Sequence, residues 1–182
     1  TRVTAVADLG NNCIMVGDIT GRITAYRYSA AGIEEVARNA DSTVMGTINR
    51  IVKVSDSVVY VNSIGSGVYK LLFDGTSLRT LSRIIISYFV QDFAIGLDGT
   101  VYISVSSEVA SERGMYAYTY NGSSWVRRNH LVTSGSARGL AIHLDGAVIL
   151  LFEPNICEVY QFKDMVFTRI ARADYSALSM AS

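Results

Sequence analysis

A pattern of four strands and their turns occurs four times along this chain, and the end of each copy shows it best. An apolar residue opens the last strand of each copy, and successive copies place it 45, 47 and 42 residues apart. A basic residue follows five positions later in every copy. The two series are Ile33, Leu78, Trp125 and Phe167, and Arg38, Arg83, His130 and Arg172. A repeat of about 40–50 residues holding four strands is typical of a β-propeller blade.

The repeat therefore predicts an all-β fold, a β-propeller of four four-stranded blades that is either complete or part of a larger or dimeric propeller. We expect one propeller domain or fragment over residues 1–182, with residues 176–182 beginning a further strand. The predicted blades cover about 1–41, 42–86, 87–133 and 134–175. Short turns such as Asp98-Gly99 and Asp145-Gly146 separate apolar runs, as β-hairpins require.

Each third strand carries two aromatic or large apolar residues at alternate positions, so that both side chains point to one face of the sheet. These pairs are Tyr26/Tyr28, Leu71/Phe73, Tyr118/Tyr120 and Tyr160/Phe162. Because one pair occurs per repeat, packing between blades explains the pairs better than stacking on a sugar or a base does. The basic series at the end of each repeat has two interpretations. It protects the outermost strands from edge-to-edge pairing, which we favour, or it forms a ring that binds anions.

Composition narrows the class of partner. Apolar residues make up 49% of the chain and charged residues 18%, which excludes a disordered polypeptide. The 16 basic and 16 acidic residues cancel, so the excess of positive charge typical of nucleic-acid-binding proteins is missing. No apolar run approaches the roughly 18 residues of a membrane-spanning helix. We therefore expect no membrane or nucleic-acid partner, and an intracellular protein of the cytoplasm or nucleus.

Candidate binding residues lie in the loops between the second and third strands and between repeats, which are longer and more varied than the other turns. Variable loops on a repeated scaffold are where binding usually evolves. The longest of these, residues 106–113, contains three charged residues. The predicted binding residues are Asp18, Arg22, Glu108, Glu112, Arg113, Glu153 and Asn155. A solvated loop without a ligand is the alternative for the longest one.

Catalytic and metal-binding signals are weak. The two cysteines, Cys13 and Cys157, are too few for a metal site and are expected to be small buried strand residues, with a bridge between them as the alternative. His130 occupies the repeated basic position and is interpreted as a surface residue. His143 is the candidate to face a central channel, but no carboxylate accompanies it at a recognisable spacing. We therefore predict no catalytic residue, no metal and no cofactor.

Residues 13–38 resemble a stretch of the large multi-propeller adaptor proteins. The matching residues are Val16-Gly17-Asp18, Tyr28 and Glu34-Glu35, followed by Ala37-Arg38. The family includes the large damaged-DNA-binding subunit and its relatives in pre-mRNA cleavage and splicing. In that family the stretch is a structural blade of the last propeller, and its members hold other proteins together. The second to fourth repeats of this chain depart from the family's pattern.

These observations predict a non-catalytic scaffold for protein–protein interaction, with a protein partner held on the rim formed by the longer loops. One alternative is a propeller that binds a carbohydrate or a small ligand through exposed aromatic residues. A second alternative is an enzyme whose active site lies above the channel and includes His143. A homodimer, or association with the remainder of a larger propeller, follows from the repeat count.

Overall fold

The computed structural model describes residues 2–39 and 46–175 and contains four separate four-stranded antiparallel sheets. In every sheet the strands are hydrogen-bonded in chain order, so each sheet is a meander of three hairpins. This confirms the predicted all-β fold of four propeller blades. The predicted start of a further strand at 176–182 lies outside the described residues.

Blade 1 and blade 2 belong to the first of two compact units, Thr1–Phe89. The strands of blade 1 are β1 (Val3–Gly10), β2 (Cys13–Asp18), β3 (Ile23–Ser29) and β4 (Gly32–Arg38). Those of blade 2 are β5 (Ile48–Lys53), β6 (Val58–Ser63), β7 (Gly67–Phe73) and β8 (Leu78–Ile85). The core of this unit lies between the two blades, where Met15 and Ile23 pack with Val61 and Leu71.

Blade 3 and blade 4 belong to the second unit, Val90–Ser182. The strands of blade 3 are β9 (Phe89–Ile95), β10 (Val101–Ser106), β11 (Gly114–Tyr120) and β12 (Trp125–Val132). Those of blade 4 are β13 (Ala137–Ile142), β14 (Val148–Phe152), β15 (Ile156–Lys163) and β16 (Val166–Asp174). Here Met115 and Ala117 of blade 3 pack with Val148 and Leu150 of blade 4. One 3₁₀ turn, Ala110–Glu112, interrupts the β10–β11 loop, where the sequence showed no helical signal.

Every blade carries a β-bulge between its third and fourth strands, always at the same point of the repeat. The register slips by one residue there, which leaves one residue of the fourth strand unpaired. The unpaired residues are Val36, Leu81, Arg128 and Ile170. A bulge bends and twists its strand. Its recurrence shows that the repeat extends to backbone geometry and identifies equivalent positions in the four blades.

The repeated basic residue lies two positions after the bulge in every blade and faces a residue of the third strand. These cross-strand pairs are Thr24 with Arg38, Tyr69 with Arg83, Tyr116 with His130, and Glu158 with Arg172. Paired residues of adjacent strands point to the same face of a sheet. The chemistry at this position therefore depends on the third-strand residue, which differs between the blades.

Candidate functional site

The candidate site lies in blade 3, where the repeated basic position holds the histidine His130. Its imidazole stacks on the ring of Tyr116, the cross-strand neighbour, with ring centroids 3.9 Å apart and planes 9° from parallel. The Tyr116 ring is buried, whereas His130 is half-buried. The stack fixes the orientation of an imidazole that remains partly accessible to solvent.

Glu112 extends this cluster from the 3₁₀ turn. The Tyr116 hydroxyl donates a hydrogen bond to Oε2 of Glu112 at 2.8 Å, with the Glu112 carbonyl oxygen at 3.1 Å. Gly114 makes this approach possible, because a Cβ there would lie 1.9 Å from the carbonyl oxygen of Leu131 and its φ is +129°. Glycine adopts such a φ without a steric cost. The loop can therefore enter β11 close against β12 and bring Glu112 to Tyr116.

The protonation state of His130 follows from its surroundings. Nε2 lies 3.1 Å from the carbonyl oxygen of Arg113, and a carbonyl oxygen can only accept, so Nε2 carries the proton. Burial lowers the pKa of His130 below its ordinary value of 6.5, against opposing effects of the Arg113 hydrogen bond and the charge of Glu112. The ring is therefore neutral at pH 7, and Nδ1 keeps a lone pair that can take up a proton.

Positive charge also lies beside the imidazole. The guanidinium carbon of Arg127 is 5.7 Å from the centroid of the Tyr116 ring, which is a cation–π distance. Arg127 is exposed, and its charge contributes to keeping the pKa of His130 low. Burial and the nearby Glu112 carboxylate raise the pKa of Tyr116 far above 10. The cluster thus combines a neutral base, a carboxylate, a neutral phenol and a permanent cation.

Three of the predicted binding residues lie in the β10–β11 loop, but only Glu112 reaches the cluster with its side chain. Arg113 donates from Nε to the Ser107 carbonyl at 2.6 Å and from Nη2 to the Glu108 carbonyl at 3.1 Å. Arg113 therefore holds its own loop together and contributes its backbone carbonyl to His130. Glu108 is exposed at the tip.

Asp18 and Arg22 flank the β2–β3 loop of blade 1. Asp18 is buried, and its Oδ1 accepts hydrogen bonds from the backbone N–H of Thr20 at 2.7 Å and of Arg22 at 3.1 Å. Burial would raise the pKa of Asp18, but these hydrogen bonds and the Thr20 hydroxyl outweigh it and lower that pKa. The carboxylate therefore shapes the loop, while the Arg22 side chain is exposed. A cleft of about 240 Å³ contains both residues.

Glu153 and Asn155 lie in the β14–β15 loop of blade 4. Glu153 accepts a hydrogen bond from Nε of Arg138 at 3.0 Å, and Nη2 of the same arginine contacts it as well. The Asn155 carbonyl accepts from the backbone N–H of Tyr175 at 2.8 Å. All four residues line a cleft of about 650 Å³. The seven predicted binding residues thus form three groups, each on its own sheet.

His143 does not lie in a strand. The prediction that it faces a central channel requires a place in the first strand of blade 4, but β13 ends at Ile142 and His143 belongs to the exposed β13–β14 turn. Its Nδ1 lies 2.9 Å from a carboxylate oxygen of Asp145, and its backbone is bonded to Ala147 within the turn. The connection is longer than the predicted Asp145-Gly146 turn, because β13 ends at Ile142 and β14 begins only at Val148. The channel role remains a prediction.

Two chemically distinctive residues escaped the sequence analysis. Tyr116 was not among the aromatic pairs identified in the third strands, although it contacts both His130 and Glu112. Glu158 is buried in β15, where Nη1 of Arg169 lies 2.6 Å away, Nη1 of Arg172 lies 3.3 Å away and the Tyr160 hydroxyl donates to it. A charged residue in an apolar third strand, followed by two arginines in the fourth strand, was the available signal.

The cysteines and metal ligands add no further site. Cys13 is buried and Cys157 is half-buried, and both are free thiols. Within residues 2–39 and 46–175, no three His, Cys, Asp or Glu side chains come together as metal ligands. In the same ranges no helix has the length and hydropathy needed to span a membrane.

Comparison with known proteins supports the assignment of this fold to the β-propeller class. No protein-family model matches the chain, and no curated protein matches it. A solved structure from Bacteroides fragilis, provisionally assigned as a 6-phosphogluconolactonase, matches with a TM-score of 0.74 and 13% sequence identity. The match covers 95% of this chain and 55% of that chain, so this chain spans about half of its neighbour's length. At this identity the likeness establishes the fold. The resemblance of residues 13–38 to the adaptor family remains a prediction.

The comparison corrects the prediction of a non-catalytic scaffold and the prediction that the chain is not an enzyme. A neighbour that covers nearly the whole chain is assigned to an enzyme class, so the fold gives no ground for excluding catalysis. Both predictions relied on the lack of a recognisable catalytic motif. In a propeller the loops and outer strands bring together residues that are far apart in sequence, as Glu112 and His130 show. The active site of such a protein need not appear as a contiguous motif.

Proposed function

We propose that this chain carries the general base of a propeller hydrolase whose substrate is the lactone of an anionic sugar acid. The observation that supports it best is His130, a neutral imidazole whose Nε2 is bonded to the Arg113 carbonyl and whose Nδ1 retains a lone pair. A positioned histidine with a pKa below neutrality is suited to accept a proton from water at pH 7. Its half-buried position leaves it accessible to a substrate.

The proposed reaction needs only water as co-reactant. Nδ1 of His130 removes a proton from a water molecule as its oxygen attacks the lactone carbonyl. The tetrahedral intermediate then collapses, the ring C–O bond breaks, and the leaving alkoxide takes the proton back from His130. The sum is lactone plus water giving the hydroxy acid, with the imidazole returned to its neutral form.

The neighbouring residues of the cluster have separate roles in this proposal. Tyr116 and the Arg113 carbonyl hold the imidazole in position, and Tyr116 is itself anchored by Glu112. Arg127 adds a permanent positive charge, which favours an anionic substrate and the negative charge that develops on the carbonyl oxygen. The provisional assignment of the Bacteroides fragilis neighbour, a lactonase of a phosphorylated sugar acid, agrees with this substrate class.

Hydrolysis of 6-phosphogluconolactone, followed by base consumption in a pH-stat and corrected for spontaneous hydrolysis, tests the proposal. We expect His130→Gln to lower kcat by about 10²–10⁴-fold, the usual contribution of a general base. His143→Gln is the matched control, because it changes the other histidine in an exposed turn of the same unit, and we expect unchanged kcat. Activity that survives His130→Gln, or its absence from the unsubstituted chain, would contradict the proposal.

A further inference from the structure

Blade 1 exposes a surface whose equivalent in blade 2 is buried. The strand registers define the equivalence, because Tyr26 pairs with Ile14 in blade 1 as Leu71 pairs with Val59 in blade 2. We call this surface the blade 1 face. Its residues are Val3, Val6, Ile14, Val16, Tyr26, Tyr28 and Ile33. Their equivalents in blade 2 are Ile48, Ile51, Val59, Val61, Leu71, Phe73 and Leu78.

The difference in exposure is large. Val3 is 58% exposed and Ile48 is 0% exposed, and Tyr28 is 43% exposed and Phe73 is 5% exposed. All seven blade 2 residues are buried, whereas those of the blade 1 face are exposed or half-buried. Contiguous exposed apolar surface of this kind marks an interaction site. The repeat also indicates what kind of surface would bind there, since the same positions of blade 2 pack against a neighbouring blade.

Blade 4 exposes the opposite surface of the repeat. We call it the blade 4 face, and it comprises Ala141, Ile149, Leu151, Cys157, Val159 and Ala171. Each of these is exposed or half-buried. The equivalent residues of blade 1 are Ala7, Met15, Gly17, Ile23, Ala25 and Ala37, which pack against blade 2. In the first unit, the blade 1 residues equivalent to the blade 4 face pack against the blade 2 residues equivalent to the blade 1 face. A face like that of blade 1 is therefore the surface that can cover the blade 4 face.

We propose that the blade 1 face binds the blade 4 face of a second copy of this chain. Within each unit it is this combination of faces that forms the core, between blades 1 and 2 and between blades 3 and 4. In a two-fold dimer the contact would form twice and would cover both faces of both copies. A second copy can supply both halves of this contact, because the blade 1 face and the blade 4 face lie on the same chain.

One contact inside the first unit indicates which residues would meet. A Cβ atom on Gly17 would lie 2.7 Å from Cβ of Ile48, so these two positions face each other across the blade 1–blade 2 junction. The registers make Leu151 equivalent to Gly17 and Val3 equivalent to Ile48. Leu151 of one copy should therefore lie beside Val3 of the other. Leu151 is larger than Gly17, and Val3 is smaller than Ile48, which partly compensates.

The molar mass in solution tests the proposal first. Light scattering behind size exclusion should give twice the chain mass of 19.8 kDa. A mass of one chain at concentrations up to about 100 µM, where an interface of ordinary size is occupied, would overturn it. Leu151→Asp should convert the dimer to the monomer, whereas Leu144→Asp, at a 91%-exposed turn position of the same blade, should leave it dimeric.

A disulfide between the two faces distinguishes a second copy from closure within one chain. In a Cys157→Ser background, Val3→Cys combined with Leu151→Cys should yield a covalent dimer on oxidation, seen on a non-reducing gel. Val54→Cys combined with Leu151→Cys is the matched control, because Val54 is 49% exposed but lies in the β5–β6 turn outside the blade 1 face. A disulfide confined to single chains, or a control pair that links equally well, would overturn the proposal.

Discussion

At the scale of single residues, identical repeat positions carry different chemistry. Arg38, His130 and Arg172 are equivalent by register, yet their cross-strand neighbours are Thr24, Tyr116 and Glu158. In blade 4 the arginine accompanies a buried carboxylate, and this pair ties β15 to β16. In blade 3 the histidine stacks on a tyrosine and stays neutral. The spacing of the sequence revealed the series, but the neighbour across the strand decides what each member does.

His130 also makes the stability of the chain depend on pH. Its pKa is lower in the folded chain than in the unfolded chain, where it has the ordinary value of 6.5. At a pH between these two values, His130 is protonated in the unfolded chain but neutral in the folded chain. The free energy of unfolding should therefore fall as the pH drops below 6.5 and should gain nothing further above it. Urea unfolding of the unsubstituted chain and of His130→Gln between pH 5 and 8, spanning that value, measures the effect. Equal pH slopes for the two proteins would contradict the lowered pKa.

At the scale of the strand, glycines at the start of third strands permit close approach to the fourth strand. Gly67 and Gly114 have positive φ, and a Cβ on either would lie 1.9 Å from a carbonyl oxygen of the fourth strand. The sequence alone does not predict this approach, since residue propensity does not report a contact to a distant carbonyl. The bulge in each fourth strand was also not predictable from the sequence, because no residue type is common to the four bulge positions.

We expect Gly114→Ala to lower the free energy of unfolding by more than the strain of a positive φ alone would. Gly122 provides the control, because its φ is +98° but no atom lies within 4 Å of a Cβ built there. Gly122→Ala should lower the free energy of unfolding by about 1–2 kcal/mol, from backbone strain. Gly114→Ala adds the clash with Leu131 and should cost more than about 3 kcal/mol, measured by urea unfolding. Similar losses for the two variants would contradict the close approach.

At the scale of the whole molecule, residues at equivalent positions of the repeat need not be equally buried. Val16 and Val61 occupy equivalent positions by register, but Val61 is fully buried between blades 1 and 2 and Val16 is only half-buried. A sequence repeat assigns both to the same face of a blade. Which of them contributes to a core depends on whether another blade covers that face.

Replacing each of these two valines with alanine measures how much the covering of a face by another blade contributes to stability. Val61→Ala should lower the free energy of unfolding by about 2 kcal/mol, because it removes buried methyl groups and leaves a cavity. Val16→Ala should cost less than about 1 kcal/mol in the monomer, since its environment is already half solvent. Unfolding should be followed by urea titration in the monomeric Leu151→Asp background, so that dimer formation does not bury Val16. Equal costs would contradict the exposed blade 1 face.

The sequence by itself determined the class of fold, because four copies of one strand pattern with turn residues at fixed intervals are compatible with few architectures other than blades. It also determined the order of strands within each blade and the loops that carry polar residues. The tertiary structure alone decided that Glu112, Tyr116 and His130 form one cluster, that His143 belongs to a turn, and that one face of blade 1 lies open. Spacing along a chain encodes local periodicity, whereas contacts between strands and the covering of a face depend on residues far apart in sequence.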